Sequence, residues 1–306
     1  MAKINKVVFN STVLSDGGKL NTEQANAFIK MIIDEPTILK EARTVPMKGD
    51  SKKIESIGFG QRVLNPATEG KDPEESKYSA PTTRTVTLQA KEFIAVVKLT
   101  DDTIETNIEG KSIEDTVMQL LAERVALDME EIIVNGDTSG GSDEFLKQLD
   151  GVRKQLTAHV VDAQGGALSK DLLKQAKKAV PAKYLRNPSE WRFYCSNGLE
   201  TDWVDLVGER LTANGDDSFI NGSVKSAYGV PVKGIAMLQD YEGTSTQVSD
   251  IILTHPKNIV IGISRDIRIE LERAPRERAT YVVLTLKMDV KFEDSKAAAK
   301  IIKVKA

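Results

Sequence analysis

The apolar positions of this chain fall into two kinds of repeat, one with a step of three and four and one with a step of two, and their order along the chain carries most of its information. The clearest helical repeat runs from Ser112 to Gly136. Ile113, Val117, Leu120, Leu121, Val125, Met129, Ile132 and Ile133 share one face, while Glu114, Asp115, Glu123, Arg124, Asp128 and Glu131 cover the other. Ser112 is placed to cap the start, Glu114 and Asp115 add favourable charge to the first turn, and Asn135-Gly136 supplies the stop. Such a helix is about 33 Å long. Apolar along one side only, it needs a broad platform.

The strongest period-two segment is near the C-terminus. Val282, Leu284, Leu286, Met288, Val290 and Phe292 alternate with Val283, Thr285, Lys287, Asp289 and Lys291, a strand of about 40 Å. Ile267, Ile269 and Leu271 alternate just before it, and Ile251-Ile252-Leu253 leads into an HPKN turn. The long strand matches the long helix in length, and packing one across the other buries both apolar faces. The last segment, KAAAKIIKVKA, is expected to pair back towards the middle of the chain.

The segments before the long helix look unable to stand alone. Residues 1–46 hold one helix signal, capped by Asn21, with Ala25, Phe28, Ile29, Ile32 and Ile33 on one face and Asp34-Glu35-Pro36 as its end. A helix of about three turns does not hold itself together in water. From Val45 to Thr100 the pattern predicts a long β-hairpin. One limb sets Ile57, Phe59 and Val63 on one side, and the other alternates Val86, Leu88 and Ala90 with Thr85, Thr87 and Gln89. Both faces turn apolar at Phe93-Ile94-Ala95-Val96-Val97, which predicts a buried base. Between the limbs, NPATEGKDPEESKYSAP has the prolines and acids of a solvated, mobile tip. An isolated two-stranded ribbon is marginal, so one this long implies support from a neighbouring subunit.

Residues 151–249 read as a mixed α/β unit. Ser169 caps a helix with Leu172, Leu173, Ala176, Ala179 and Val180 inward, stopped by Pro181. Residues 191–195 form a strand, Asn197 opens a helix through Trp203, Leu206, Val207 and Leu211, NGDDSFINGS is a loop, and YGVPVKGIAML returns as strand.

Composition narrows the functional classes. The chain has 306 residues, 40% hydrophobic and 28% charged, enough for two ordinary domains or one domain with large excursions, with a packed core. The net charge of −3, from 42 basic and 45 acidic residues, lacks the basic excess of a nucleic-acid binder. No apolar run reaches membrane-span length, and the first residues lack the apolar stretch of a secretory signal.

Catalytic chemistry is hard to write on this chain. One cysteine, Cys195, and two histidines, His159 and His255, make no zinc-ligand spacing. Cys195 lies in an alternating strand beside Trp191 and Phe193 and reads as a buried, inert thiol, and His255 before Pro256 as a turn residue. Gly58-Phe59-Gly60 and the 136–141 run lack the residues and context of dinucleotide or phosphate loops. The acid pairs Asp101-Asp102, Glu130-Glu131 and Asp216-Asp217 read as solvated faces and caps. We therefore expect no catalytic, cofactor-binding or metal-binding residue. Between residues 265 and 278, Arg265, Arg268, Arg273, Arg276 and Arg278 interleave with Asp266, Glu270, Glu272 and Glu277. So balanced a surface suits pairing with another copy, or a plain solvated face, better than binding DNA. Lys296, Lys300, Lys303 and Lys305 form a milder basic tail.

The order of these parts resembles the major capsid fold of tailed bacteriophages: N-arm, E-loop hairpin, spine helix, A-domain and P-domain. The runs that resemble the family are LNTEQANAFIKMIIDEPTILKEARTVPM, SIEDTVMQLLAERVALDMEEIIVNGD, YGVPVKG and ILTHPKNIVIGISRDIRIELER, and together they span essentially the whole chain. The resemblance implies an α+β fold, with a spine helix at 112–135 on a long antiparallel sheet. It places the N-arm at 1–46, the E-loop at 47–100, the P-domain at 101–150 and 250–306, and the A-domain at 151–249. The implied function is a structural one, self-assembly as pentamers and hexamers into an icosahedral head enclosing a double-stranded DNA genome. Phe28, Ile32, Phe59, Arg62, Arg268, Arg273, Arg276 and Arg278 would then be inter-subunit contacts. A separate scaffolding protein is expected because the arm begins almost at Met1. A portal protein, non-specifically held DNA and decoration proteins are the other implied partners, with no membrane involved. Synthesis would be in the bacterial host cytoplasm and the final location the virion. Lys52, Lys53, Lys71, Lys77 and Asn258 include the residue types that crosslink some relatives, without a motif that ties them. An encapsulin-type compartment is the alternative of the same fold, and a soluble α/β enzyme using acidic residues the alternative of another class.

Overall fold

In the computed structural model the chain order is α1 (Thr37–Glu41), β1 (Arg43–Met47), β2 (Ser51–Gly58), β3 (Thr82–Gln89), β4 (Lys91–Thr100), the long helix α2 (Ile113–Asn135), α3 (Val152–Gln155), β5 (Val160–Asp162), α4 (Lys170–Ala179), β6 (Arg192–Ser196), α5 (Asn197–Gly208), β7 (Ser226–Ala227), β8 (Val230–Ile235), β9 (Tyr241–Glu242), β10 (Gln247–Thr254), β11 (Ile259–Ser264), β12 (Arg268–Ala274), β13 (Ala279–Phe292) and β14 (Ala298–Lys305). The structure describes residues 37–59, 62–66, 69, 75, 78–101, 113–140, 143–208, 226–238, 240–242, 247–264 and 268–306. The helix expected around Phe28 and Ile32, the expected Ser112 cap, Asp102 and the loop expected at NGDDSFINGS lie outside the described residues.

Helix α2 packs as its periodicity predicts. Leu121, Ala122, Val125, Ala126, Met129, Ile132 and Ile133 are buried together against Val282, Leu284, Leu286, Met288 and Val290 of β13. Leu120, expected on this face, is 57% exposed. At about 100° per residue it points away from the stripe of Leu121, Val125 and Met129. The helix ends by close backbone approach. Gly151 donates its N–H to the carbonyl of Gly136 at 2.8 Å. A Cβ on Gly136 would stand 2.5 Å from the Leu149 carbonyl oxygen, and one on Gly151 2.7 Å from the Gly136 nitrogen.

The platform is a five-stranded sheet built around β13, which has 14 residues. β11 pairs antiparallel with residues 288–292 of β13, β12 with 279–285 and β4 with 279–288, while β1 adds in parallel to β11. Val282, Leu284, Leu286, Met288, Val290 and Phe292 all face the core, as the alternation requires. On the opposite face, Asp289 is also buried, at 2% exposed. The root of the β2–β3 hairpin covers that end, with Ile54 and Leu88 packed in one cluster with Val45 and Met47 of β1 and Val260 of β11. Asp289 accepts the N–H of Gln89 at 2.7 Å, and burial pushes its carboxyl above the usual range. The same crowding explains Gly262, where a Cβ would meet the Met47 sulfur at 2.6 Å.

A seven-stranded sheet forms the second layer, in the order β5-β14-β10-β6-β8-β7, with β9 beside β10. The last strand pairs back as expected, β14 running antiparallel to β10 and parallel to β5. Along β6 and β10 the two faces serve two cores. Tyr194 and Ile252 join the core of α2, whereas Phe193, Cys195, Ile251 and Leu253 join Leu173, Ala176, Leu199 and Trp203 of α4 and α5. Burial on both faces is why β10 reads as a continuous apolar run.

Residues 37–47 lock the layers together. Glu130, read from sequence as part of a solvated acid pair, is 2% exposed and accepts the backbone N–H of Ile38 at 2.7 Å. The helix dipole of α1 and the missing intrahelical partner of that N–H both favour a carboxylate there. Glu41 accepts from Tyr194 at 2.7 Å and from Lys233 at 2.8 Å, both on the second sheet. Glu130→Ala strands the buried Ile38 N–H. It is expected to cost about 1–3 kcal/mol in denaturant unfolding of the subunit and to speed amide exchange at residues 37–41. Burial, the largest influence on Glu41, pushes its carboxyl up, but hydrogen bonds from Lys233 and Tyr194 and the charges of Lys233 and Arg192 bring it below the usual value. A depressed folded-state value gives stability that is present above the unfolded value and lost as pH falls through the folded one. The protection factors of residues 37–47, exchange corrected for its intrinsic pH dependence, are therefore expected to fall as pH drops below roughly 4.3, the ordinary glutamate value, and Glu41→Gln should abolish that fall.

Candidate assembly surface

The hairpin formed by β2 and β3 is a two-stranded sheet of its own, in register from Ser51 opposite Gln89 to Gly58 opposite Thr82. Its burial falls steadily from root to end. Leu88 is 0% and Ile54 9% exposed, whereas Ile57 is 70%, Phe59 59% and Leu64 85% exposed, with Val63 and Tyr78 also on the surface. The pairing explains the split. Ile54, Val86 and Leu88 share the inner face, and Ile57 lies on the outer face with Thr83, Thr85 and Thr87. The ribbon is fastened to its own subunit at a few points. Lys287 pairs with Asp50 at 2.8 Å at the root, and further out Arg84 pairs with Asp294, which also accepts from Tyr184 at 2.8 Å.

The strand after the hairpin does not have the fully buried base that its apolar run predicts. Phe93, Ala95 and Val97 pack on the α2 core, but Ile94 is 66% and Val96 55% exposed. β4 leaves the hairpin and joins β13, setting Val96 beside Val283 and Ile94 beside Thr285 on the sheet face away from α2. No second layer covers that part of the face among the described residues. Ile57, Leu64, Ile94 and Val96 are exposed apolar positions that the expected contact set omits. Period two identifies their faces, but not which face a second layer covers.

The expected contact residues separate into groups. Phe28 and Ile32 lie outside the described residues. Phe59 is exposed, as is Arg62, whose carbonyl accepts from the Ser79 hydroxyl at 3.2 Å. Arg268 sits on β12 opposite Thr285, with its side chain outside the description. Arg273 is used within the subunit, forked onto the Asp101 carboxylate at 2.5 and 2.7 Å. Lys98 holds Glu277 at 2.6 Å in the same way. Arg276 and Arg278 stay exposed in the β12–β13 turn, where Arg278 takes a positive φ of 49°. The charge cluster is thus partly an internal clasp of its turn. The basic tail is also partly consumed, with Lys300 donating to the Arg153 carbonyl at 2.9 Å and Lys303 pairing with Asp162 at 3.1 Å.

The groups weighed for chemistry have structural places. Cys195 is 1% exposed with its sulfur 3.7 Å from the Lys233 carbonyl, and burial raises its thiol far above the reactive range. His255 caps its turn, Nδ1 accepting from the Lys257 N–H at 3.1 Å. Asn258 braces the β13–β14 connection. Its amide donates to the Asp294 carbonyl at 3.0 Å and its oxygen accepts the Asp294 N–H at 2.9 Å. Among the described residues, no three His, Cys, Asp or Glu side chains converge to hold a metal ion, and no helix is long and apolar enough to cross a membrane.

Comparison with known proteins bears on this architecture directly. Residues 17–302 match the model of the phage capsid family. The chain is 52% identical over 306 residues to the putative prophage capsid protein YqbE of Bacillus subtilis (strain 168), covering 99% of this chain and 98% of the relative. Its fold is similar to that of a chain in the satellite phage P4 procapsid with its size determination (Sid) protein, at a TM-score of 0.70 and 15% identity over 96% of both chains. It is more distantly similar to the SrpI encapsulin of Synechococcus elongatus PCC 7942, at a TM-score of 0.54 and 11% identity over 86% of this chain and 85% of that one. By the family match and the near-complete relative, on a subunit whose hairpin and sheet leave apolar faces uncovered, the chain belongs to the phage capsid family and is a structural protein of the capsid.

Proposed function

We propose that many copies of this chain assemble, as pentamers and hexamers, into an icosahedral shell around double-stranded DNA. The observation that carries the proposal is the burial gradient of the β2–β3 ribbon. A two-stranded ribbon gains too little from its own pairing to keep Ile57, Phe59 and Leu64 in water without a further surface. A neighbouring subunit supplies that surface, and the contact is heterologous, since the ribbon of one copy meets a different part of the next. Contacts of that kind close into rings and shells.

The division of labour follows. The segment 1–46 is the arm, rooted by the ties of α1 and β1. Residues 47–100 are the hairpin that reaches outwards. Residues 101–150 and 250–306 form the spine-bearing domain, and 151–249 the domain that clusters at the symmetry axes, its sheet completed by β10 and β14. The assembly partners are a separate scaffolding protein, a portal protein at one vertex, decoration proteins on the outer surface and DNA held without sequence readout. Synthesis takes place in the bacterial cytoplasm and the mature location is the virion. The structural placement of Cys195 and His255, together with the family, supports a role without catalysis.

Negative-stain microscopy of the protein expressed alone and with its genomic neighbours tests the assembly. Closed shells are expected, and small monodisperse particles under every condition would sink the proposal. Nucleic acid recovered from purified shells supports the genome-enclosing reading, and a single co-purifying protein cargo in its place supports the encapsulin-like one. Deleting residues 65–81 is expected to leave the subunit's unfolding midpoint nearly unchanged and to abolish shells, because that segment lies beyond the buried root. A large loss of subunit stability on this deletion would contradict support by a neighbour.

A further inference from the structure

The hairpin does not lie flat on its subunit. Beneath its inner face, between Ser56–Arg84 and the second layer, run two adjoining grooves that meet at the Arg84–Asp294 pair. One is walled by Lys183, Tyr184 and Arg186, the other by Glu293 and Lys296. Their carboxylates are already engaged. Asp294 is held by Arg84 and Tyr184, and Glu293 by Arg43 at 3.2 Å. Lys183, Arg186 and Lys296 are exposed and pair with no carboxylate among the described residues. Lys183 instead lies over the Tyr184 ring at 4.8 Å. On a chain with a net charge of −3, this cleft is a local cationic site with aromatic walls, Tyr184 within and Phe59 at its edge.

The same chain carries a complementary segment. Residues 69–75, in the sequence that joins the two limbs of the hairpin, read Glu-Gly-Lys-Asp-Pro-Glu-Glu, four carboxylates against one lysine. Extended, seven residues span about 24 Å. Pro73 lowers the cost of ordering them in an extended form. In any assembly of identical copies, this acidic segment and the cationic cleft are present in equal number.

We infer that the cleft under the hairpin, marked by Lys183, Arg186 and Lys296, is the docking site for the acidic 69–75 segment of a neighbouring copy. This rests on the proposed role of the hairpin as an inter-subunit element and names the surface that receives it. Charge complementarity sets the register of the contact, and the aromatic walls exclude water from it. The Arg84–Asp294 strut holds the cleft open in the free subunit. Because the charges are exposed, the contact weakens with salt.

The test uses a fluorescein-labelled peptide of residues 65–80 and the full chain as unassembled subunit, read by anisotropy alongside microscopy of shells. Saturable binding is expected, weakened at least tenfold by Lys183→Glu with Arg186→Glu and by raising NaCl from 50 to about 300 mM. A peptide with Glu74→Lys and Glu75→Lys should lose binding to the natural subunit and regain it on the charge-reversed one. Circular dichroism confirms that the reversed subunit is folded. No binding to the natural subunit, or binding unaffected by charge reversal, overturns the inference. So does binding only after residues 65–81 are deleted, since the segment then occupies its own cleft. Reversal-sensitive binding of a short DNA duplex without peptide binding assigns the cleft to nucleic acid and overturns it also. Peptide binding and shell formation are read separately. Shells without peptide binding reject the docking site, whereas peptide binding without shells rejects the assembly reading.

Discussion

The apolar seam between helix α2 and strand β13 is the constraint on which the rest of this subunit depends. Leu121, Val125, Met129 and Ile132 on one side meet Val282, Leu284, Leu286 and Met288 on the other. The burial of these side chains, each worth on the order of 1.5–3 kcal/mol, supplies the rigid body to which every other part is attached. The seam is long because its two elements are, 23 and 14 residues. The C-terminal part of the helix is then committed twice. Its end is welded by the close Gly136–Gly151 contact, and its buried Glu130 fixes the chain at residues 37–41.

From that frame the structure separates parts that are held from parts that are offered. Residues 37–47 are held, tied to the helix by Glu130, to the second sheet by Glu41 and to β11 by parallel pairing. The hairpin is held at its root and offered beyond it. Burial runs from Leu88, fully enclosed, to Leu64, almost fully in water. A structural subunit needs this division, since a rigid body gives a defined lattice and weakly held extensions allow slightly different contacts at different lattice positions. The charged turn around Arg273 belongs to the held part, because Asp101 and Lys98 consume much of what looked like a free, self-complementary surface.

The buried acids show how polar groups serve the frame. Glu130, Asp289 and Asp250 are all nearly inaccessible, and each meets a backbone N–H or a cation at a junction between elements. Asp250 bonds Arg153 at 2.7 Å and Tyr241 at 2.8 Å where β14 departs from regular pairing. A carboxylate at such a junction is costly when unpaired and geometrically exacting when paired, so it specifies one arrangement of the layers.

Periodicity alone determined the long helix, the long strand and their mutual packing, because a one-sided apolar stripe on each can be buried only against the other. It also determined the hairpin and the mixed second layer, whose turn and cap residues act locally. Sequence order carried the family resemblance across the whole chain. Only the tertiary structure decided which alternating faces are covered. Asp289 is buried because a hairpin root crosses it, and Ile94 and Val96 are exposed because no described element does. Only it showed that Glu130 caps α1, 92 residues before it in the chain, and that Arg273 is spent on Asp101. Local pattern records which way a side chain points. What lies opposite is a long-range contact, set by how the layers meet, and no local period encodes it.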